Sequence, residues 1–369
     1  MLLYRFSSNA TPEYELEEQY YALPSKYDDL NSRLSKYNLT LSKHQKRMTV
    51  PDDERVISFL HIGKTGGSTI SVNIRNGCHE YYMEPCKERQ HDGWILNETV
   101  ASQRIQSYYH MEQIPHDKLE KITTIVTTVR NPINRFISAF AYAHPLNFQA
   151  TSLSHSRETM EQFSCFPKLT YLVKAAMGKA EISWNKAHIN ALREKERQAN
   201  TVQFGKMYSR PKPIREVVPP MNCTELAMLA FGMNKTLQVE TTPPFVNHMT
   251  FDYRHYYQSM PADKEILVLR HENLFEDWRL VNDLLSKDNT KYNDWPNVPP
   301  FHRVERNVSH FYAMKDRYKL HSLQEKHWLC ELLQDEIRTY FMILIRAVNL
   351  SEKDLREAMD DVDKSCSEV

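Results

Sequence analysis

The chain has 369 residues, of which 41% are apolar, and its 47 basic and 47 acidic side chains cancel. That length can bury a large core, as one big domain or one domain with an insertion. Zero formal net charge argues against bulk nucleic-acid binding, no apolar run reaches membrane-spanning length, and the start MLLYRFSSN is too short for a signal peptide.

In chain order, residues 1–54 are polar and tyrosine-rich. They read as a stem or weakly helical arm, with a functionless disordered terminus equally open. Val56, Ile57, Phe59, Leu60 and Ile62 then form a short apolar run, the pattern of a strand buried on both faces. The run breaks into Gly63-Lys64-Thr65-Gly66-Gly67-Ser68-Thr69, and a helical pattern starts at Ile70. Strand, glycine-bearing turn, lysine, hydroxyls and helix are the parts of a phosphate cradle. Glycines let backbone N–H groups approach an anion, and the helix N-terminus adds partial positive charge. The loop is not a Walker A sequence, because Ser58 stands where that motif needs its first glycine.

After an irregular segment with two cysteines, Arg104–His110 reads as a second strand with His110 at its end. Ile122–Val129 is the third and strongest. It ends in Arg130, where a nucleotide-hydrolysing enzyme would place a magnesium-holding carboxylate. A cation there suggests a ligand with an extra phosphate and no essential metal. Asn131 can cap the following helix, Pro132 suits its first turn, and Ile133, Phe136, Ile137 and Phe140 have helical spacing.

Residues 146–260 lack strand alternation and read as a largely helical insertion, with helices expected at 158–180, 183–199 and 223–233. Glu265–Leu269 is the fourth strand, followed by Arg270-His271-Glu272. Helices are expected at 276–286, at 323–347 as one long element, and briefly at 351–362 within a C-terminal tail, 351–369. The organisation is therefore a stem, a domain over 55–350, and a tail. The fold class is α/β, a P-loop NTPase-like three-layer sandwich around a mainly parallel sheet.

The six cysteines contain no CxxC pair, which argues against a zinc site, and their even number permits disulfides. Glycosylation sequons begin at Asn9, Asn38, Asn97, Asn222, Asn234, Asn307 and Asn349. Chance would give about three, so the excess favours a secretory-pathway lumen over the cytoplasm.

Phe59-Leu-His-Ile-Gly-Lys-Thr-Gly-Gly-Ser-Thr69 resembles the 5′-phosphosulfate loop of the membrane-bound carbohydrate sulfotransferases, closest to the heparan sulfate 6-O-sulfotransferase type. Thr128-Val-Arg130-Asn-Pro, with Ser138 eight residues after the arginine, is similar to that family's 3′-phosphate motif. Weaker matches are Phe245-Val-Asn247, Leu269-Arg-His-Glu272 and Arg306-Asn307-Val-Ser309. Asn131 replaces the usual Asp, and Gly63 stands where Gln or Pro is common.

The resemblance implies the donor 3′-phosphoadenosine 5′-phosphosulfate (PAPS), a glycan or proteoglycan acceptor, and a Golgi enzyme whose membrane tether is not in this sequence. Lys64 and the backbone of Thr65, Gly66, Gly67, Ser68 and Thr69 would hold the phosphosulfate; Arg130 and Ser138 would hold the 3′-phosphate. His110 matches the proposed catalytic base, with Glu112 as rival. His61 reads as a packed strand residue, the basic loop around Lys206–Arg215 as solvated, and Trp94 as an uncommitted neighbour of the site. Two other functions stay open: a P-loop kinase or NTPase, and a non-catalytic nucleotide- or glycan-binding module.

Overall fold

The computed structural model describes residues 24–41, 48–51, 54–67, 70, 105–110, 113–143, 165–180, 222–233, 247–285 and 318–367. The chain divides into two units, Met1–Gln45 and Lys46–Val369. In the first, helix α1 (Pro24–Ser35) buries Leu30 and Leu34, one turn apart on the same face. The second starts ahead of the boundary expected at 55. The backbone N–H groups of Thr49 and Val50 donate to Glu265 Oε1 at 2.6 and 2.8 Å, which ties this segment to the fourth strand.

The four strands fall where the apolar runs put them: β1 (Ile57–His61), β2 (Ile105–His110), β3 (Thr124–Val129) and β4 (Glu265–Arg270). They form one parallel sheet in the order β2-β1-β3-β4. Every residue of β1, β3 and β4 is buried, which is why these strands read as continuous apolar runs and not as alternation.

Helix α2 (Pro132–Ala143) follows β3 directly. Asn131 caps it, its Oδ1 accepting from the N–H of Ile133 at 3.0 Å and of Asn134 at 3.4 Å, and Pro132 fills the first helical position. In the insertion, α3 (Leu169–Ala176) packs on α4 (Cys223–Ala230), and a Cys165–Cys223 disulfide joins the segments that lead into them. Two short helices, α5 (Asn247–Thr250) and α6 (Tyr253–Tyr257), lead back to β4. The helix expected at 183–199 lies outside the described residues.

After β4, α7 (Leu274–Leu285) lays Leu274, Trp278, Val281 and Leu285 on the sheet face formed by Ile57, Phe59, Ile105, Val126, Leu267 and Leu269. Each such side chain, fully buried, contributes about 1.5–3 kcal/mol. Residues of the other strand parity, Leu60, Ile125, Ile266 and Val268, are equally buried.

The long helix expected over 323–347 is two helices, α8 (Leu323–Leu332) and α9 (Gln334–Arg346), broken at Leu333 (φ −95°, ψ 7°). No Gly or Pro marks the break. Packing sets it, since α8 lies against α3 while α9 reaches β4 and α2. The short helix expected at 351–362 is present and longer. Residues Glu352–Ser367 form helix α10, which buries Leu355, Ala358, Met359 and Val362 and is tied to α8 by a Cys330–Cys366 disulfide. No helix among the described residues is long and apolar enough to cross a membrane.

Candidate active site

In a parallel sheet the carboxyl ends of the strands share one edge, and ligands of α/β folds bind there. Here that edge carries His61, His110, Arg130 and Arg270 at or just beyond the ends of β1, β2, β3 and β4. Beyond β1 the chain turns through Gly63–Gly66. Lys64 has φ of +68°, a conformation that costs a non-glycine residue of order 1–3 kcal/mol and persists only where its surroundings hold it. Thr65 supplies much of the hold. Its buried hydroxyl donates to the Ile62 carbonyl at 2.6 Å and lies 2.6 Å from Thr128 Oγ1 on β3. That side chain faces the sheet, so only the backbone of Thr65 is placed to meet an anion.

Gly66 has φ of +87°, and a Cβ there would lie 2.6 Å from His271 Nδ1, so both conformation and space demand glycine. At Gly67 an added Cβ would run into the His61 ring. Ser68 and Thr69 lie outside the described residues.

Lys64 Nζ sits 3.6 Å from the centroid of the Tyr142 ring on α2, a cation–π contact. Ser138 is half-buried one helical turn before Tyr142, which puts both on the same face of α2. His110 pairs in register with His61, and the two rings stack with centroids 4.0 Å apart. His61 is the packed residue expected, buried, with Nδ1 2.7 Å from Tyr108 Oη. His110 Nδ1 lies 3.3 Å from the His61 carbonyl. A carbonyl only accepts, so that contact puts a hydrogen on Nδ1, and in the neutral ring the lone pair is then on Nε2.

His248 completes this corner. Its ring centroid is 6.1 Å from that of His110 and 5.2 Å from that of Tyr142, and its Nδ1 is 2.7 Å from where a Gly63 Cβ would stand. Desolvation, then the charges of Lys64 and the neighbouring His110 and Arg135, hold its pKa well below the usual histidine value, so the ring is neutral. Arg135, fully buried, is ion-paired with Glu336 and donates to the His248 carbonyl at 2.7 Å, which fixes α5 from below.

At the end of β3 the second corner is built from directional bonds. The Tyr253 hydroxyl accepts from the Arg130 N–H at 2.7 Å and donates to the Arg130 carbonyl at 2.6 Å. The next N–H, of Asn131, donates to Glu272 Oε1 at 3.2 Å. The backbone is thus spoken for, but Arg130 Nε is buried and finds no hydrogen-bond partner among the described residues. Desolvation lowers the Arg130 pKa, partly offset by Glu272 and Tyr253. His271, at the same corner, is lowered to about 4 by desolvation and then by Arg130. A half-buried guanidinium with an unpartnered, buried Nε is a donor that a dianionic phosphate can satisfy.

The structure brings Lys64, Gly66, Gly67, His110 and Arg130 to one edge of the sheet. Glu112, Trp94, the basic loop and Arg306–Ser309 lie outside the described residues. In the Arg270-His271-Glu272 stretch, Arg270 is spent on Asp277 and Asp354, whereas His271 and Glu272 reach the site. Sequence reasoning missed His248, Tyr142, Tyr253 and Arg135. Only Tyr142 had a signal, its helical spacing from Ser138.

Residues 47–202 match the model described as "Sulfotransferase family". No curated protein and no solved structure matches the chain.

Proposed function

Residues 47–202 of this chain belong to the sulfotransferase family, and we propose that it moves the sulfuryl group of PAPS to a hydroxyl on a glycan or proteoglycan. The observation that carries the donor assignment is Arg130, a half-buried side chain whose buried Nε has no hydrogen-bond partner among the described residues, at the end of β3 next to the strand that delivers Lys64. One cation would meet each anionic end of the donor. A nucleotide-hydrolysing enzyme needs an acid where Arg130 stands.

When bound, PAPS supplies an activated sulfuryl group and a 3′-phosphate. Arg130, with Ser138 beyond it on α2, binds the 3′-phosphate. The backbone N–H groups of the glycine-bearing turn hold the phosphosulfate, and Lys64 neutralises charge on the bridging oxygen as its bond to sulfur breaks. His110 Nε2 takes the acceptor hydroxyl's proton as the new oxygen–sulfur bond forms. His248, neutral, lines the same space without adding a positive charge that would compete with Lys64.

Calorimetry with 3′-phosphoadenosine 5′-phosphate (PAP) and AMP, beside transfer of labelled sulfate from PAPS to a panel of desulfated glycans, tests the reading. Tighter binding of PAP than AMP and label on a glycan are expected. ATP turnover instead, abolished by a chelator, would point to a kinase or NTPase. PAP binding with no transfer to any acceptor would point to a binding module.

We further place the protein in the lumen of the secretory pathway. Two disulfides and the sequon excess support this. The fold also sorts the sequons. Asn38 and Asn222 are exposed, whereas Asn349 is only 8% exposed, its amide accepting from Val268 N–H and donating to the Val268 carbonyl, each at 2.8 Å. Glycopeptide mass spectrometry of protein from its native host should find glycan on Asn222 and none on Asn349. An unglycosylated protein with reduced cysteines would instead mark a cytoplasmic enzyme.

A further inference from the structure

Asn131 stands directly after Arg130 and is completely buried. Its side chain works at both ends. Oδ1 caps α2, as described, while Nδ2 donates to Asp361 Oδ2 at 2.6 Å and to Ser365 Oγ at 3.0 Å. Both acceptors lie on α10, more than 200 residues further along the chain. The helix is held in place by the Cys330–Cys366 disulfide near its end and by Arg270, whose guanidinium pairs with Asp354 at 2.8 Å near its start. Glu272 takes the Asn131 N–H from the opposite direction. Side chain and backbone of the residue next to Arg130 are therefore fixed by two separate segments, and one is the C-terminal helix.

The chemistry of this contact is specific. An amide nitrogen can only donate and a carboxylate only accept, so the pair has one polarity. With Asp at position 131, two carboxylates would face each other where a charge-assisted bond now stands.

We propose that Asp361 is a positioning residue for the donor's 3′-phosphate: acting through Asn131, it fixes the start of α2 and with it the direction in which Arg130 presents its guanidinium. This rests on the PAPS reading. It assigns the C-terminal helix a part in donor recognition, although that helix lies beyond the residues that match the family.

The test compares affinities for PAP and AMP in the full chain, with thermal melting alongside. Asp361→Ala, at a half-buried site on the helix surface, should weaken PAP about tenfold while changing AMP less than about twofold. Asn131→Asp should weaken PAP at least as much. The exchange Asn131→Asp/Asp361→Asn rebuilds the bond with donor and acceptor reversed and should bring PAP affinity back to within about threefold of wild type. A merely structural contact would lower melting temperature and leave the PAP-to-AMP ratio unchanged, and that result overturns the proposal. So does an exchange variant no better than Asn131→Asp. Should Asn131→Asp not fold, the Asp361→Ala ratio decides alone. A wild-type chain that prefers neither ligand would instead overturn the PAPS reading itself, which is a different outcome from a wild-type preference that survives Asp361→Ala.

Discussion

The two corners of the site are held by different forces. Around Lys64, besides the hydrogen bonds of the Thr65 hydroxyl that hold the turn, the side chains meet through rings: His61 on His110, Tyr142 under the ammonium, and His248 against the glycine turn. Around Arg130 they are hydrogen bonds of fixed direction, from Tyr253, Glu272 and, through Asn131, Asp361. A phosphate is recognised by donors in a set geometry, which favours the second construction. A proton transfer from an acceptor hydroxyl calls instead for an imidazole in a confined space, which is what the ring-lined corner offers. The ring-lined corner should therefore govern turnover, and the hydrogen-bonded corner affinity.

The largest effects should come from the ring-lined corner. His110→Ala should lower kcat by about 10²–10⁴ and Lys64→Ala by about 10²–10³, with PAP affinity little changed in the histidine variant. Turnover should also fall on the acid side, because imidazolium has no lone pair to offer. The division fails if His110→Ala keeps its turnover while Glu112→Gln loses it, or if His110→Ala turns over normally but binds PAP poorly. Melting curves must accompany each variant, since β2 ends at His110.

Arg130→Ala comes next. Loss of a charge-assisted contact costs about 1.5–3 kcal/mol, roughly ten- to a hundredfold in PAP affinity, while AMP affinity should hold. Arg130→Lys should not restore it, because a point charge cannot reproduce the planar fork. An unchanged PAP-to-AMP ratio in Arg130→Ala would move the 3′-phosphate elsewhere and dissolve the contrast between the corners.

The sheet was legible in the sequence because parallel strands are buried on both faces, so Val56–Ile62, Ile122–Val129 and Glu265–Leu269 stand out as apolar runs. Lys64 and Arg130 were legible because each follows such a run and is marked by local chemistry: glycines after one, an Asn-Pro cap after the other. His248 was not, because its place beside Lys64 depends on Arg135 gripping its carbonyl from α2, a contact 113 residues apart in sequence. The split at Leu333 also follows tertiary packing. Helix α10 did carry a signal, the spacing of Leu355, Met359 and Val362. Its polar composition reads as a tail until the partners of Asp354 and Asp361 are known.

The smallest effect separates ring from hydroxyl at Tyr142. The ammonium of Lys64 lies over the ring face, where the attraction comes from the π-system and not from the phenol oxygen. Tyr142→Phe keeps that face, and turnover should stay within about twofold of wild type. Tyr142→Leu removes it, and Lys64, already in a left-handed backbone conformation, loses a contact that helps aim its side chain. A cation–π pair contributes about 0.5–2 kcal/mol, so kcat should fall by about two- to thirtyfold. The loss should appear in kcat, with PAP affinity unchanged, because Tyr142 belongs to the ring-lined corner. Steady-state kinetics of the two variants beside PAP calorimetry check this. Equal losses in Tyr142→Phe and Tyr142→Leu would mean that the hydroxyl matters, as a hydrogen-bonding group toward donor or acceptor. A loss of PAP affinity in Tyr142→Leu at normal turnover would mean that Lys64 chiefly binds and that the division between the two corners is wrong.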